Sequence, residues 1–342
     1  MTLKEIAELA GVSISTVSRI INSPHDSFAR KPVRDKVWEI IKETGYIPNQ
    51  SARELKRGKS ETGPWQSHTI ACILGRTKGL DENPFFAQVA RATEQQALSM
   101  GYIVSTSYSI FDIGNRALLQ KIESVKTDGA IVLGRFDNST RKFFEEHYKN
   151  IVYVGRNLID ADWDQVVCDG YEATKTALKH LTANGHKHIG YIGETENEVR
   201  YQAFIDTVKE QGLDSNKELI ASFQQDGAGG YLGASHLLRS ASSILTAVFC
   251  ATDVTAIAAI KRFSEAGIKI PEQLSVVSID DIELAQYVSP MLTTVSIPKI
   301  EMGKVAVRVL IDRINKVHRL PMKIFLPHKL IIRESTAKLR NG

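Results

Sequence analysis

The run TLKEIAELAGVSISTVSRIIN, residues 2–22, decides how the chain is read. Thr2 followed by Glu5 has the spacing of a capping box, in which each side chain satisfies the other's backbone amide, so a helix starts at Leu3. Leu3, Ile6, Ala7 and Ala10 recur at helical spacing as its inward face, and Gly11 ends it. Val12 packs the turn, Ser13 can cap a second helix, and Val17, Ile20 and Ile21 point inward from that helix. Its outward positions are Ile14, Ser15, Thr16, Ser18 and Arg19, a small, hydrogen-bonding and cationic face. A looser stretch with Pro24 follows, then a third helix expected from near Pro32, with Val37, Ile40 and Ile41 inward and Gly45 as its stop. Two short helices around a glycine turn, backed by a third, predict an all-α helix-turn-helix head over residues 1–46.

Charge points to what such a head meets. Residues 1–59 hold eleven Lys and Arg against seven acids, a net of +4, and the whole chain holds 43 against 39. The remaining residues therefore carry 32 of each sign and are neutral, so all the excess positive charge lies where a polyanion would dock. A helix-turn-helix places its second helix in the major groove. There Arg19 can make a bidentate contact to guanine, Ile14 can touch a thymine methyl, and Ser15 or Thr16 can reach base or phosphate. The plainer alternative is that these side chains are only the solvated face of a small helical domain.

Downstream, YIPNQSARELKRGK (46–59) has Pro48 as a break and Asn49 as a cap for about two turns of helix, too short to be stable alone in water. Residues 47–66 read as hinge and linker, with Gly58, Gly63 and Pro64. From His68 the pattern changes. HTIACILG, GYIVSTSY, DGAIVLG, IVYVG, QVVCD, HIGYIG, TAVFCA and LSVVSID are short apolar runs separated by amphipathic helices such as FFAQVARATEQQALSMG and DVTAIAAIKRFSEAG. Near-continuous apolar strands alternating with helices predict parallel, doubly wound sheets covered on both faces. Eight or more strands are too many for one sheet of ordinary width, so two subdomains are expected in an α/β domain over 67–338. Their bounds are set at about 67–157 with 289–323, and 158–288 with 324–338. A ligand would bind in the cleft beyond the strands' carboxyl ends.

Other classes find little support. No stretch has the roughly 18 consecutive apolar residues of a membrane span, and the N-terminus lacks the features of a secretory signal, so a cytoplasmic protein is expected. Cys72, Cys168 and Cys250 are scattered and read as buried small hydrophobes; no spacing suggests a metal site, a cofactor or a catalytic set. The glycine-rich DGAGGYLG opens a helix without the Lys-Ser/Thr of a phosphate loop.

TLKEIAELAGVSISTVSRIIN, followed by GYIPNQSAREL and then by the α/β domain, resembles the LacI/GalR family of bacterial transcriptional regulators over essentially the whole chain. The resemblance implies a periplasmic-binding-protein-like sensing domain, a homodimer on a pseudo-palindromic double-stranded operator, and a small molecule that changes DNA affinity. It puts Ile14, Ser15 and Arg19 on base-reading positions and Leu3, Ser13, Thr16 and Asn22 near phosphates; Thr2 and Ser18 flank these sets. Asn49, Ala52 and Leu55 fall on minor-groove positions of the hinge, with Leu55 as the wedge that kinks the duplex; the plain alternative is an exposed linker leucine. SPHDSFARKPVRDK, between the second and third helices, is longer than in some members.

In the sensing domain the resemblance marks Phe85 and Phe86 as a cleft wall, Arg200 as a hydrogen-bonding arm, Thr252 with Asp253 as a strand-end pair, Gln225 beside them, and Asp280 as acceptor from ligand hydroxyls. Such a set suits a sugar or sugar phosphate. Alternatives stay open: Phe85 and Phe86 as core, Asp253 and Asp281 as helix caps, Arg200 as a surface charge. Gly155 stands where sugar-binding members often have Asp, and Gln225 where many have an aromatic. The chain ends too soon after KLIIREST for a C-terminal heptad helix, so a dimer is expected. The function read from all this is a repressor of carbohydrate use with no catalytic role; the alternative is a cytoplasmic two-lobed binding protein or enzyme without operator-specific function.

Overall fold

The computed structural model describes residues 2–22, 29–44 and 67–339, and the chain divides into two units, 1–65 and 66–342. The small unit holds α1 (Leu3–Ala10), α2 (Ile14–Asn22) and α3 (Lys31–Thr44). Both bonds of the capping box form: Thr2 Oγ1 accepts from the Glu5 amide at 3.3 Å, and Glu5 Oε2 accepts from the Thr2 amide at 2.9 Å. Gly11 ends α1 in the left-handed conformation at φ 71°, where a side chain would be strained. Ile6, Ala7, Ala10, Val17, Ile20 and Val37 make the buried core, flanked by Leu3, Val12, Ile21, Ile40 and Ile41. Every inward position read from helical spacing is therefore in or against that core.

The large unit begins with β1 (Thr69–Leu74), α4 (Pro84–Ser99), β2 (Ile103–Ser109), α5 (Arg116–Ser124), β3 (Gly129–Leu133), α6 (Asn138–His147), β4 (Ile151–Gly155) and β5 (Asp164–Val167). It continues with α7 (Gly170–Ala183), β6 (Ile189–Gly193), α8 (Val199–Glu210), β7 (Ile220–Ser222), α9 (Gly227–Ser240), β8 (Ala247–Cys250), α10 (Asp253–Glu265) and β9 (Ser275–Asp280). β10 (Thr293–Ser296), α11 (Lys299–Ile314), β11 (Lys323–Phe325) and β12 (Lys329–Ile331) close it. Two six-stranded sheets result, in the orders β11-β5-β4-β3-β1-β2 and β12-β10-β9-β8-β6-β7. Pairing is parallel throughout except between β10 and β12. Strand alternation explains the continuous apolar runs: Ile70, Cys72 and Leu74 pack on one side of β1, Ala71 and Ile73 on the other, and helices cover both. Cys72, Cys168 and Cys250 are free and buried. No helix among the described residues is long and apolar enough to cross a membrane.

The subdomain bounds differ from those read in the sequence. β5 pairs with β4, Val152 beside Asp164, so the first lobe runs on through residue 167 rather than stopping at 157. β10 pairs with β9, so the second lobe keeps residues up to 296 rather than ending at 288. β11 pairs with β5 and carries the first lobe's final segment through 325. The cause is that β10, β11 and β12 are only three or four residues long, too short for the alternation or apolar run that marks a strand in sequence.

Asp164 fastens the first lobe's closing segment. Its fully buried carboxylate accepts from Arg313 Nε at 2.5 Å, Arg313 Nη2 at 2.8 Å and the Met322 amide at 2.7 Å, with His318 Nε2 at 2.9 Å. Burial would raise its pKa, but the Arg313 hydrogen bond and the other donors leave it lowered. Asp164→Ala strands the Arg313 guanidinium against a buried gap and is expected to cost about 3 kcal/mol, read as a lower unfolding midpoint in denaturant. Because the folded pKa lies below the unfolded one, the wild-type advantage should be complete above about pH 4 and fade as pH falls through the lowered value. A pH-independent difference would contradict this account.

Candidate functional site

Two surfaces collect the residues singled out by sequence. The first is α2. Val17 and Ile20 are buried beneath it, while Ile14, Ser15 and Arg19 lie on its exposed side with Ser18 half-buried between them. Ser13 caps the helix: its Oγ accepts from the Thr16 amide at 3.1 Å and lies 2.8 Å from both Ser15 Oγ and Thr16 Oγ1. Ile14 is 45% exposed although it opens a helix whose other isoleucines face the core, which suits it to an apolar contact outside the head. Thr2 is held by its capping bonds and Leu3 packs on the core edge. Asn22 ends the helix. The hinge positions Asn49, Ala52 and Leu55 lie outside the described residues.

The second surface is the cleft at the carboxyl ends of both sheets. In the first lobe β1, β3 and β4 each end in Gly-Arg: Gly75-Arg76, Gly134-Arg135 and Gly155-Arg156. All three arginines line one cavity with Phe85, Phe86, Tyr153, Glu198 and Arg200. Asn83 caps α4 through the Phe85 and Phe86 amides at 3.1 and 3.3 Å, which sets the two rings edge to face with centroids 5.2 Å apart. Both rings are buried core and cavity wall together, and the Arg156 guanidinium lies 4.1 Å from the centre of the Phe85 ring.

The second lobe answers with carboxylates. Glu198 caps α8 and chelates Arg200, at 2.7 Å to Nε and 2.8 Å to Nη2, while Arg200 Nη1 donates to the Ala251 carbonyl at 2.7 Å. Gln225 accepts from Arg200, accepts from Arg76 at 3.4 Å, and donates to Glu198 at 2.9 Å. Arg76 and Arg135 meet Glu194 at 2.5 and 2.7 Å, and Arg135 also lies 3.3 Å from Glu198. Burial alone would raise the Glu198 pKa; Arg200 beside it holds the carboxyl well below the usual range. Asp280 pairs with Arg156 across the cleft. Burial pushes Asp280 up and Arg156 down, and their mutual contact opposes both.

Asp280 and Asp281 have positive φ, 136° and 54°, which costs on the order of 1–3 kcal/mol per residue and persists only where surroundings enforce it. Lys299 is the enforcer: its buried ammonium donates to the carbonyls of Asp280, Asp281 and Ile297. Asp281 is no helix cap; it pairs with Arg333 at 2.6 Å, and the 3-10 turn at Glu283–Gln286 has no side-chain cap.

Two residues expected in the pocket lie elsewhere. Thr252 caps α10, accepting from the Thr255 amide at 3.2 Å. Asp253 is fully buried inside the second lobe, where Ser278 and Thr294 hydroxyls at 2.6 Å and the Ile282 amide at 2.8 Å saturate its carboxylate. Burial and the Asp280 charge push it up to about 6, with these donors acting the other way. A strand end that starts a helix needs such fasteners, and in sequence they look the same as pocket residues. Arg76, Arg135, Arg156, Tyr153, Glu194 and Glu198 were not singled out, although the threefold Gly-Arg at strand ends was there to be read. Gly155 is explained as well: a Cβ there would come within 2.0 Å of Tyr153 Oη, so the tyrosine occupies the space an aspartate would need. The assembled groups are hydrogen-bond donors and acceptors around a small, partly open cavity, an arrangement that suits polar groups.

Comparison with known proteins bears on both units. Residues 2–49 match the family described as bacterial regulatory proteins, lacI family, and residues 178–336 match the periplasmic binding protein-like domain. The HTH-type transcriptional repressor PurR of Yersinia pestis is 31% identical over 98% of this chain and 97% of its own length. Its namesake in Aliivibrio salmonicida is 29% identical over 99% of both. Among solved structures, the transcriptional regulator CelR–cellobiose complex superposes with TM-score 0.72 at 26% identity, covering 98% of this chain and 99% of that one. The lac repressor dimer bound to operator and the anti-inducer ONPF shares the fold with TM-score 0.78 at 23% identity, over 98% and 99% of the two chains. With a helix-turn-helix head, a two-lobed periplasmic binding protein-like domain and a full-length relative of this likeness, the chain belongs to the LacI family of bacterial regulatory proteins and is a DNA-binding regulator of transcription.

Proposed function

We propose that the protein is a cytoplasmic repressor that binds a pseudo-palindromic operator as a homodimer, with α2 in the major groove, and that a small sugar-like effector in the cleft sets its affinity. The observation that carries the reading is α2 itself, which buries Val17 and Ile20 and turns Ile14, Ser15 and Arg19 outward. In the lac repressor structure a dimer sits on operator DNA, and two half-sites one helical turn apart would match a twofold pair of heads. Ser13, Thr16 and Asn22, with Thr2 and Leu3 at the start of α1, are assigned to the phosphates. Asn49, Ala52 and Leu55 are assigned to the minor groove.

For the effector, the solved relatives that hold cellobiose and ribose favour a carbohydrate. The cleft mouth adds aromatic faces from Phe111, Phe136 and Phe223 beside the hydroxyls of Thr195 and Ser222, a combination that suits a sugar ring. Phe85, Phe86, Arg200, Gln225 and Asp280 form the inner wall. An effector that prefers one arrangement of the lobes by 1–3 kcal/mol changes operator affinity about 5- to 150-fold.

Footprinting of the purified protein on the DNA upstream of its own gene tests the reading: a protected, twofold-symmetric site is expected, and binding no better than to bulk genomic DNA would refute it. Arg19→Ala is expected to weaken that site by about 1–3 kcal/mol and to relax preference at one base pair; equal weakening on random duplex would remove its base-reading role. Leu55→Ala is expected to straighten the bound duplex, seen as faster migration of circularly permuted complexes. An unchanged bend would remove the wedge.

A further inference from the structure

We propose that the effector carries an oxyanion, a phosphate or a carboxylate, and that the three arginines at the Gly-Arg strand ends receive it. This rests on the cleft being the effector site, as proposed above, and adds the chemical class of what enters.

The strand ends are built to aim those side chains. A Cβ on Gly75 would lie 2.6–2.7 Å from the carbonyl oxygens of Gly134 and Arg135, one on Gly134 would lie 2.7 Å from the Phe86 ring, and one on Gly155 would strike Tyr153. Neighbouring strand ends are thus packed too tightly for side chains at the last position. The next residue of each, Arg76, Arg135 and Arg156, enters the same cavity. Three parallel strands delivering one guanidinium each is a recurrent device within one lobe, unlike scattered surface charge.

The balance of charge is then uneven. Among the described residues, Arg76, Arg135, Arg156 and Arg200 meet only Glu194, Glu198 and Asp280 through ion pairs, which leaves one positive charge in excess at the centre. Lys299 stands behind Asp280 with its ammonium on backbone carbonyls, opposite the buried Asp253. Asp137 and Glu196 line the outer mouth, where Asp137 caps α6.

The hydrogen bonding is incomplete too. Tyr153 Oη, Arg156 Nε and Asn157 Oδ1 are buried without a hydrogen-bond partner among the described residues, and all three residues line this cavity. Tyr153 is fully buried. Buried polar atoms are paired in nearly all native structures, so a lattice of ion pairs serving only to clamp the lobes would not strand two donors and an acceptor at its centre. A ligand with an oxyanion and hydroxyl groups would satisfy all of them: the oxyanion accepts from Tyr153 Oη and Arg156 Nε, and a hydroxyl donates to Asn157 Oδ1.

Glu194 is the carboxylate that yields. Its pairs with Arg76 and Arg135 involve side chains 23–30% exposed, whereas Arg200 and Glu198 are 2–3% exposed. Partly exposed pairs are weak, so an incoming oxyanion replaces the Glu194 carboxylate between the same two guanidinium groups. It thereby exchanges a contact between lobes for one made through the ligand.

Thermal unfolding of the full-length protein with inorganic phosphate or sulfate, against chloride at matched ionic strength, tests this. Glucose 6-phosphate and glucuronate, each against glucose, are measured in parallel by calorimetry. Saturable stabilisation by phosphate or sulfate is expected, with each anionic sugar binding at least tenfold tighter than glucose; which of the two binds tighter tells phosphate from carboxylate. Arg76→Gln with Arg135→Gln should weaken anion binding at least tenfold, and Arg135→Lys should restore part of it, with folding of each variant checked by circular dichroism. No saturable anion effect, an effect unchanged in the double glutamine variant, or a neutral sugar binding tightly and unopposed by phosphate would overturn the proposal. Gel shift on the operator separates the two readings. A neutral sugar that changes operator affinity refutes only the oxyanion, whereas anions that bind and leave operator affinity untouched refute the regulatory role of the cleft.

Discussion

The large unit depends on opposite charges meeting across the cleft. The first lobe presents Arg76, Arg135 and Arg156, and the second presents Glu194, Glu198 and Asp280 together with Arg200. Several of these groups are almost wholly out of water, and a buried charge is tolerable only while its partner stays in place. Charges of this kind are well satisfied in two ways: with the network closed, or with water solvating each one separately. Intermediate openings leave desolvated, unpaired groups and are disfavoured. A ligand that completes the network better than the protein's own carboxylates has the differential affinity needed to bias such an equilibrium.

Chain topology keeps that motion simple. The backbone passes between the lobes three times, after β5, after β10 and after β11, and the strands on either side of each passage are fixed in ladders, parallel except for β12 against β10. Short crossovers between rigid sheets favour hinge-like movement of whole lobes over deformation within them. The strained turn at Asp280 and Asp281 adjoins the second passage, and Lys299, at the start of α11, grips its carbonyls. Lys299 thereby ties the strand end that carries a cleft carboxylate to the helix that covers the first sheet.

The head was legible from spacing alone, because its helices are short, capped by their own residues and driven by a single apolar stripe. Thr2 with Glu5, Gly11 and Val17 each needed only their near neighbours. Eight of the strands were legible for a similar reason, since most are buried on both faces and carry runs of apolar residues. The short β10, β11 and β12 were not, as three or four residues are too few to show a strand pattern, and β11 pairs with β5 from far earlier in the chain. In the cleft, Phe85, Phe86 and Arg200 line the cavity, and Gln225 and Asp280 bond to its arginines. Thr252 and Asp253 were misread because a helix start and a pocket rim use the same residue types. The three arginines were passed over, since an arginine after a strand reads as ordinary surface charge until sheet order makes β1, β3 and β4 neighbours.

The discontinuity of the first lobe bears on how the protein is made. Its edge strand β11 and its covering helix α11 come from residues 299–325, and α11 packs on α4, β3, β4 and β5. During synthesis, domains fold from the N-terminus as they emerge, so the head can close its core around Ile6, Val17 and Val37 while most of the receptor is still unmade. The first lobe must wait, with apolar surface uncovered, until residues 299–325 have left the ribosome. A nonsense mutation late in the gene would therefore ruin both lobes at once while sparing the part that touches DNA, leaving a reader with no receiver.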